Sequence, residues 1–136
     1  MSEASLIVAA ILLIAVPTVE FGGLALLRMI GSREAGYMDN PVRQNLFRAG
    51  HAHAGVWIVF ALVAMILVDQ TGLSDGWRTF VRLTFAAAPI LMPLGFFLSV
   101  ASPQAERPNN MIVLVYLGGL SLGVGAVTLG VGLLTA

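Results

Sequence analysis

Long runs of apolar residues, separated by short polar segments, make up most of the chain. The runs cover roughly residues 5–31, 46–69, 78–101 and 110–134. Each is close to the ~20 residues that an α-helix needs to cross the hydrocarbon layer of a bilayer. Backbone N–H and C=O groups in lipid must be satisfied within their own segment, which favours helices over open strands. The pattern therefore predicts an all-α integral membrane protein with four transmembrane helices.

The segments between the apolar runs are short and rich in turn-forming residues. They read SREAGYMDNP, QTGLSDG and SPQAERPNN. Short connections place consecutive helices side by side in alternating directions, so we predict one four-helix domain over residues 1–136, folded as an up-down-up-down bundle. The first apolar run lacks the positive start of a signal peptide and is longer than one, so we expect it to remain as a span.

Composition supports a membrane location and excludes several classes of function. Of the 136 residues, 58% are hydrophobic and 10% are charged, and the formal net charge is zero. No basic surplus is available to neutralise phosphates, so a nucleic-acid partner is not expected. The absence of cysteine excludes disulfides and thiolate metal sites. The sequence contains no nucleophilic triad, phosphate loop or dinucleotide motif, so it does not favour a hydrolase, a transferase or an NTPase.

The fourth apolar run carries glycines at helical spacing. Gly118, Gly125 and Gly132 recur every seven residues, and Gly119 and Gly123 form a small-xxx-small pair. Small residues at these spacings let helices approach closely in membranes. We therefore expect this helix to present a packing surface, which either closes the bundle or joins subunits.

Both histidines of the chain, His51 and His53, lie in the segment FRAGHAHAG of the second apolar run. Residues i and i+2 point about 200° apart on an α-helix, so the two imidazoles face different neighbouring spaces. Polar groups at this depth are costly in lipid and indicate functional sites, and imidazole is a common ligand of metals and of haem. Because one unbroken helix cannot direct both rings at one ion, another element must complete each site.

Small and aromatic neighbours of the histidines favour a large, flat ligand. Gly55 lies one turn after His51, and Gly50 lies one turn before His53. Both glycines are expected to leave room beside the imidazoles. Trp57 lies one turn after His53 and is expected to line the same side.

The segment RAGHAHAGVWIVF resembles the H-x-H helix of haem-copper oxidase subunit I. In that family, two histidines two residues apart on one helix ligate two different haems. The family's twelve helices form three four-helix units around a pseudo-threefold axis, and the H-x-H helix is the second of its unit, as it is here. The family's copper site needs further histidines, which this chain lacks. A complete oxidase site is therefore not expected.

The resemblance implies a haem-binding homotrimer. Around a threefold axis, His51 of one subunit would face the same interfacial space as His53 of the next, and the pair would hold haem b for electron transfer with an unidentified donor and acceptor. Copper or zinc bound by the same histidines, and a cofactor-free structural or accessory subunit, are the alternatives. We expect a location in the lipid bilayer of the cytoplasmic membrane of a prokaryote.

Two arginines could bind the propionates of such a haem. Arg48 lies one turn before His51, and Arg43 lies in the preceding linker. The planar guanidinium suits carboxylates, although both side chains could instead reach lipid headgroups or set the topology. Orientation stays open, because the arginine count places the first linker in the cytoplasm whereas the resemblance places the N-terminus there.

Two acidic residues have positions that call for an explanation. Glu20 lies near the middle of the first run, where an ionisable group indicates a functional site. It could relay protons, complete a metal site with a histidine, or be a neutral acid bonded to another helix. Asp69 ends the second run and is expected to be a solvated residue at the membrane interface.

Overall fold

The computed structural model describes residues 1–136 and contains only helices and the segments that connect them. The all-α class is confirmed, and four of the helices are long and apolar enough to cross a membrane, as predicted. In chain order the elements are α1 (Glu3–Gly31), α2 (Ala35–Met38), α3 (Pro41–Val68), α4 (Asp75–Ser99), a 3-10 turn (Asn110–Ile112) and α5 (Val113–Leu134). The short helix α2 lies in the first linker and was not predicted.

Two long helices begin earlier than the apolar pattern predicts, because their first turns contain polar residues. The side chain of Asn40 accepts a hydrogen bond from the backbone N–H of Arg43 at 3.0 Å. Pro41 follows as the first helical residue, where a missing N–H costs nothing. Ser74 precedes α4, and Asp75 lies in its first turn, where a negative charge is favoured by the helix dipole. Hydropathy alone does not register these polar first turns.

Helices α3 and α4 form the centre of the molecule, with α1 on one side and α5 on the other. Helix α1 packs along α3, α5 packs along α4, and α1 and α5 do not meet. The buried core includes Leu12, Ile58, Met65, Phe85 and Leu129. The outer helices therefore each keep a broad apolar surface that faces away from the core.

Helix α5 packs against α4 through its seven-residue glycine repeat, as the spacing predicts. A Cβ atom on Gly118 would lie 2.5 Å from Cγ of Met92, and one on Gly125 would meet Oγ1 of Thr84. The adjacent Gly119 has no neighbouring atom within 4 Å of that position. The repeat therefore brings the backbones of α4 and α5 together, while the Gly119 face of α5 stays open.

Candidate functional site

His51 lies on the side of α3 that faces α1. A Cβ atom on Gly23 would lie 3.1 Å from Cε1 and 3.2 Å from Nε2 of this imidazole, and one on Gly22 would lie 3.6 Å from Nδ1. The residue is half-buried. Its ring makes no hydrogen bond within the chain, since the one histidine hydrogen bond is made by His53. Two consecutive glycines thus let α1 pass directly over an imidazole whose nitrogens have no partner.

His53 lies on the other flank of α3 and faces α4. Its Nδ1 lies 2.7 Å from the carbonyl oxygen of Ala49. A carbonyl oxygen can only accept, so Nδ1 carries the proton and Nε2 keeps a free lone pair. Hydrogen bonds of this kind orient histidines that ligate metals. The ring centroid lies 5.0 Å from that of Phe96 and 5.8 Å from that of Trp57.

The two imidazoles contact different helices, so a single chain does not bring them to one ion. No group of three or more His, Cys, Asp or Glu residues in the chain could hold a metal ion. His51 lies ten residues after Pro41, the start of α3, which corresponds to ~15 Å along the axis. A helix of 28 residues is ~42 Å long, so both rings lie within a hydrocarbon layer ~30 Å thick that is centred on it.

One apolar groove runs between α1 and α3, and His51 forms part of its wall. This α1–α3 groove has a volume of about 500 Å³ and is also lined by Val19, Gly55 and Phe60. A Cβ atom on Gly55 would meet only Cγ1 of Val19, at 3.9 Å. Gly55 therefore leaves open space one turn after His51, as the sequence predicts.

A second apolar groove runs between α3 and α5. This α3–α5 groove has a volume of about 560 Å³ and is lined by Trp57 and Phe60 of α3 and by Gly119 and Gly123 of α5. The indole Nε1 of Trp57 is buried and has no hydrogen-bond partner. His53 lies one turn before Trp57, next to this groove. Because Phe60 lines both grooves, the exposed ridge of α3 separates the His51 side from the His53 side.

A third space opens where α1 and α4 diverge. This α1–α4 cleft has a volume of about 490 Å³, and α3 forms its floor. His51 and Ala54 line the floor, and Pro89 and Pro93 of α4 line one wall. Both prolines lie inside a continuous helix. His51 therefore borders apolar space on both sides of α1.

The guanidinium of Arg43 donates hydrogen bonds to three backbone carbonyl groups. Its Nε donates to Val100 at 3.2 Å, its Nη1 to Gly36 at 3.0 Å and its Nη2 to Ala101 at 3.4 Å. The residue is buried. These bonds tie the first linker to the end of α4 and leave little of the guanidinium for a ligand. Sequence reasoning did not foresee this role, because carbonyl acceptors leave no mark in the sequence.

Arg48 and Gly50 have different surroundings in the fold. The Arg48 side chain is exposed and makes no ion pair. A Cβ atom on Gly50 would lie 3.1 Å from both Phe96 and Phe97 of α4. The space beside Gly50 is thus filled by α4 and is not open to a cofactor, whereas Arg48 has a free guanidinium.

Glu20 lies on an exposed position of α1 and forms no ion pair within the chain. Its neighbour Val19 lines the α1–α3 groove. One of the alternatives for Glu20, a bond to another helix, is therefore not formed within a single chain. A proton relay through Glu20 stays a prediction.

The expectation that Asp69 is solvated is wrong, because it belongs to a polar cluster that joins three helices. Nη2 of Arg82 donates to Asp69 at 2.7 Å, and Nε of Arg82 donates to Ser5 at 2.9 Å. The backbone N–H and hydroxyl of Ser2 also donate to Asp69. Burial raises the pKa of the Asp69 carboxyl, but the hydrogen bonds from Ser2, Arg82 and Ser5 outweigh it and lower the pKa to about 2. A signal was available, since Asp69 immediately follows α3, Arg82 lies about two turns into α4, and one short linker connects the two helices.

Comparison with family models, with curated proteins and with solved structures gives no match to this chain. The resemblance to haem-copper oxidase subunit I therefore rests on the H-x-H motif and on the order of the helices.

Proposed function

We propose that this chain is a haem-binding membrane protein that transfers electrons, with haem b held between copies by His51 of one subunit and His53 of the next. One observation carries the proposal. Two imidazoles lie on opposite flanks of one apolar helix; both ring nitrogens of His51 and Nε2 of His53 have no partner in the chain. An electron carrier buried in the bilayer needs such ligands at depth, where unused polar groups are costly.

The residues around the two histidines fit a haem. Nε2 of His53 is free because Nδ1 is bonded to Ala49. For His51 to ligate, its ring turns away from α1 into the α1–α3 groove that it already borders, and Gly55 keeps that groove open. The free guanidinium of Arg48 suits a propionate. Bound between two imidazoles, haem iron is closed to gas ligands and supplies one-electron transfer.

The proposed fold in the membrane is an up-down-up-down bundle. Ser2, at the start of α1, bonds to Asp69, at the end of α3, whereas Gly23, late in α1, lies over His51, early in α3. Gly95, late in α4, packs on the start of α5. These pairings support alternating helix directions.

The proposed assembly is a ring in the cytoplasmic membrane of a prokaryote. Since all copies cross the bilayer in the same direction, the α1–α3 groove of one subunit can face the α3–α5 groove of the next. Such a head-to-tail contact closes into a ring or continues as a filament. Three subunits, as in the four-helix units of the family that the chain resembles, give a closed ring with one haem site per interface.

An absorption spectrum of the detergent-purified protein tests the proposal. We expect a Soret band and a b-type pyridine haemochrome with about one haem per chain, and no change on adding carbon monoxide, because bis-imidazole iron has no open position. His51→Ala and His53→Ala should each abolish this spectrum, while Asn45→Ala, an exposed position of the same helix, should not. A protein without a Soret band after haem supplementation would contradict the proposal.

Mixed subunits test whether the two ligands come from different copies. When His51→Ala and His53→Ala chains are produced together in equal amounts, about one quarter of the head-to-tail interfaces combine both intact histidines. We therefore expect about one quarter of the wild-type haem to return. A site formed within one chain would recover none.

Copper or zinc held by the same histidines, with Glu20 of a neighbouring copy as a third ligand, is the second candidate. Imidazole and carboxylate suit both metals. Elemental analysis that finds stoichiometric copper or zinc in a colourless protein would favour it. A double His51→Ala, His53→Ala variant that assembles and functions normally would instead indicate an accessory subunit without a cofactor.

A further inference from the structure

We infer that neighbouring subunits are joined at the outer edge of their interface by a hydrogen bond from the hydroxyl of Tyr116 on α5 of one copy to the carboxyl of Glu20 on α1 of the next. The inference rests on the proposed function only for the head-to-tail order of the copies. It identifies a second copy of this chain as the partner that covers these two exposed polar groups.

Glu20 lies on the flank of α1 that borders the α1–α3 groove. Gly23, one turn later, packs on His51, and Val19 lines this groove. Thr18 and Gly22 line the α1–α4 cleft on the other flank, and Val19 lies between the two spaces and lines both. With 100° between successive residues, Glu20 falls on the Gly23 side of α1, away from that cleft. A helix that covers the α1–α3 groove therefore meets Glu20 at its rim.

Tyr116 has the matching position on α5. It is 71% exposed. Gly119 and Gly123 follow it at i+3 and i+7, so all three share one flank of the helix. Both glycines line the α3–α5 groove. Tyr116 therefore stands at the outer rim of the groove that the proposed ring turns towards the α1–α3 groove of the next subunit.

Glu20 and Tyr116 lie at the same depth in the bundle. Level by level, a Cβ atom on Gly55 of α3 would lie 3.9 Å from Val19 of α1, and one on Gly50 of α3 would lie 3.1 Å from Phe96 of α4. Across α4, a Cβ atom on Gly95 would meet Val115 of α5, and one on Gly118 would meet Met92 of α4. These pairings set Tyr116 level with about position 52 of α3, and Glu20 level with about position 54. The two side chains differ by less than one helical turn, ~5 Å, along the bundle axis. Copies related by an axis along the membrane normal keep this depth, so the two groups can meet.

The chemistry of the two groups is complementary. A phenol donates a hydrogen bond, and a carboxyl group accepts one in either protonation state. Both groups are costly where they face acyl chains, because lipid offers neither donor nor acceptor. A Cβ atom on Gly119 or Gly123 would meet nothing within 4 Å. The backbone of a second helix can therefore approach α5 closely beside Tyr116.

Disulfide cross-linking tests the contact cleanly, because the chain contains no cysteine. The double variant Glu20→Cys, Tyr116→Cys in native membranes should give, on mild oxidation, a ladder of covalent oligomers that ends at the ring size. Each single variant should stay monomeric on a non-reducing gel, because a head-to-tail contact does not pair identical positions. The matched control is Glu20→Cys with Val127→Cys, an exposed α5 position ~16 Å further along the helix.

The outcomes separate this inference from the proposed function. A ladder in the Glu20–Tyr116 pair and none in the Glu20–Val127 pair supports the contact, whether or not the protein binds haem. Haem bound at one per chain with no ladder, or with equal ladders from both pairs, overturns the contact and leaves the proposed function intact. If the only cross-linked product of the Glu20→Cys, Tyr116→Cys variant contains a different protein, the contact is also overturned.

A second measurement uses a conservative change. Tyr116→Phe removes only the hydroxyl, and we expect it to raise the subunit dissociation constant in detergent about tenfold, the size of one net hydrogen bond. Glu20→Val should have a similar effect, and the double variant should be no worse than either single one, since all three lose the same bond. Additive effects would overturn the inference.

Discussion

The cluster around Asp69 should contribute a measurable share of the stability of the fold. The pKa of Asp69 falls from the model-compound value of 3.8 to about 2. This lowering of the pKa corresponds to about 2 kcal/mol in favour of the folded state at neutral pH. The Asp69 and Arg82 side chains are only 15% and 8% exposed, so solvent screens the pair little. Asp69→Asn should therefore lower the free energy of unfolding by at least this amount, because Arg82 is left buried without its counter-ion.

The assay is reversible unfolding of the detergent-solubilised protein, followed by circular dichroism. Asp75→Asn is the matched control, because the Asp75 side chain is fully exposed and its ion pair with Arg78 is long, at 3.7 Å. Such a surface pair contributes at most about 1 kcal/mol. If Asp69→Asn destabilises the protein no more than Asp75→Asn, the assigned role of the cluster is refuted.

The same cluster predicts a dependence on pH whose sign is fixed. The pKa of Asp69 is lower in the folded chain than in the unfolded chain, so the unfolded chain takes up this proton first as the pH falls. Its stabilising contribution is complete above about pH 4 and is lost as the pH falls towards 2. The stability difference between wild type and Asp69→Asn should shrink over that window. A difference that persists unchanged at pH 2 would count against the assignment.

Two further predictions concern packing and the first linker. Gly118→Val should destabilise the fold by about 1–3 kcal/mol, because its Cβ atom would collide with Met92, and Gly119→Val should leave the melting temperature of the isolated subunit nearly unchanged, because no atom lies nearby. Arg43→Ala should cost about 2–3 kcal/mol through its lost hydrogen bonds to carbonyls, whereas Arg48→Ala should change stability by less than about 0.5 kcal/mol. Thermal unfolding in detergent checks both pairs, and equal effects within a pair would contradict the assignment.

The apolar pattern located the spans well but not the first turns of two of them. It follows burial in lipid, which acts on whole runs of residues. Asn40 begins α3 through side-chain capping, and α4 begins with the polar residue Asp75; both starts depend on single polar residues and on backbone geometry. The glycine repeat of α5 was also interpretable in advance, because a spacing of seven residues puts small side chains on one face.

For the candidate site, helix geometry predicted some features from the sequence, and only the structure decided the others. That His51 and His53 point to different flanks follows from helix geometry alone. Which helix lies on each flank does not, and neither does the bond that fixes the tautomer of His53. Gly50 and Gly55 are equivalent by spacing from the histidines, yet α4 fills the space beside Gly50 and leaves that beside Gly55 open.

The sequence by itself determined that the chain forms four helices long and apolar enough to cross a membrane, and that two imidazoles leave one of them in opposite directions. Both results depend on local periodicity and on the cost of exposing backbone to lipid. Only the tertiary structure decided that Asp69 and Arg82 pair within a cluster that joins three helices. It also decided that the Arg43 guanidinium donates hydrogen bonds to backbone carbonyl groups, and that Glu20 and Tyr116 are exposed at one depth. These outcomes depend on how rigid helices pack against one another, and that relation is set by the sum of many contacts between residues far apart in the chain.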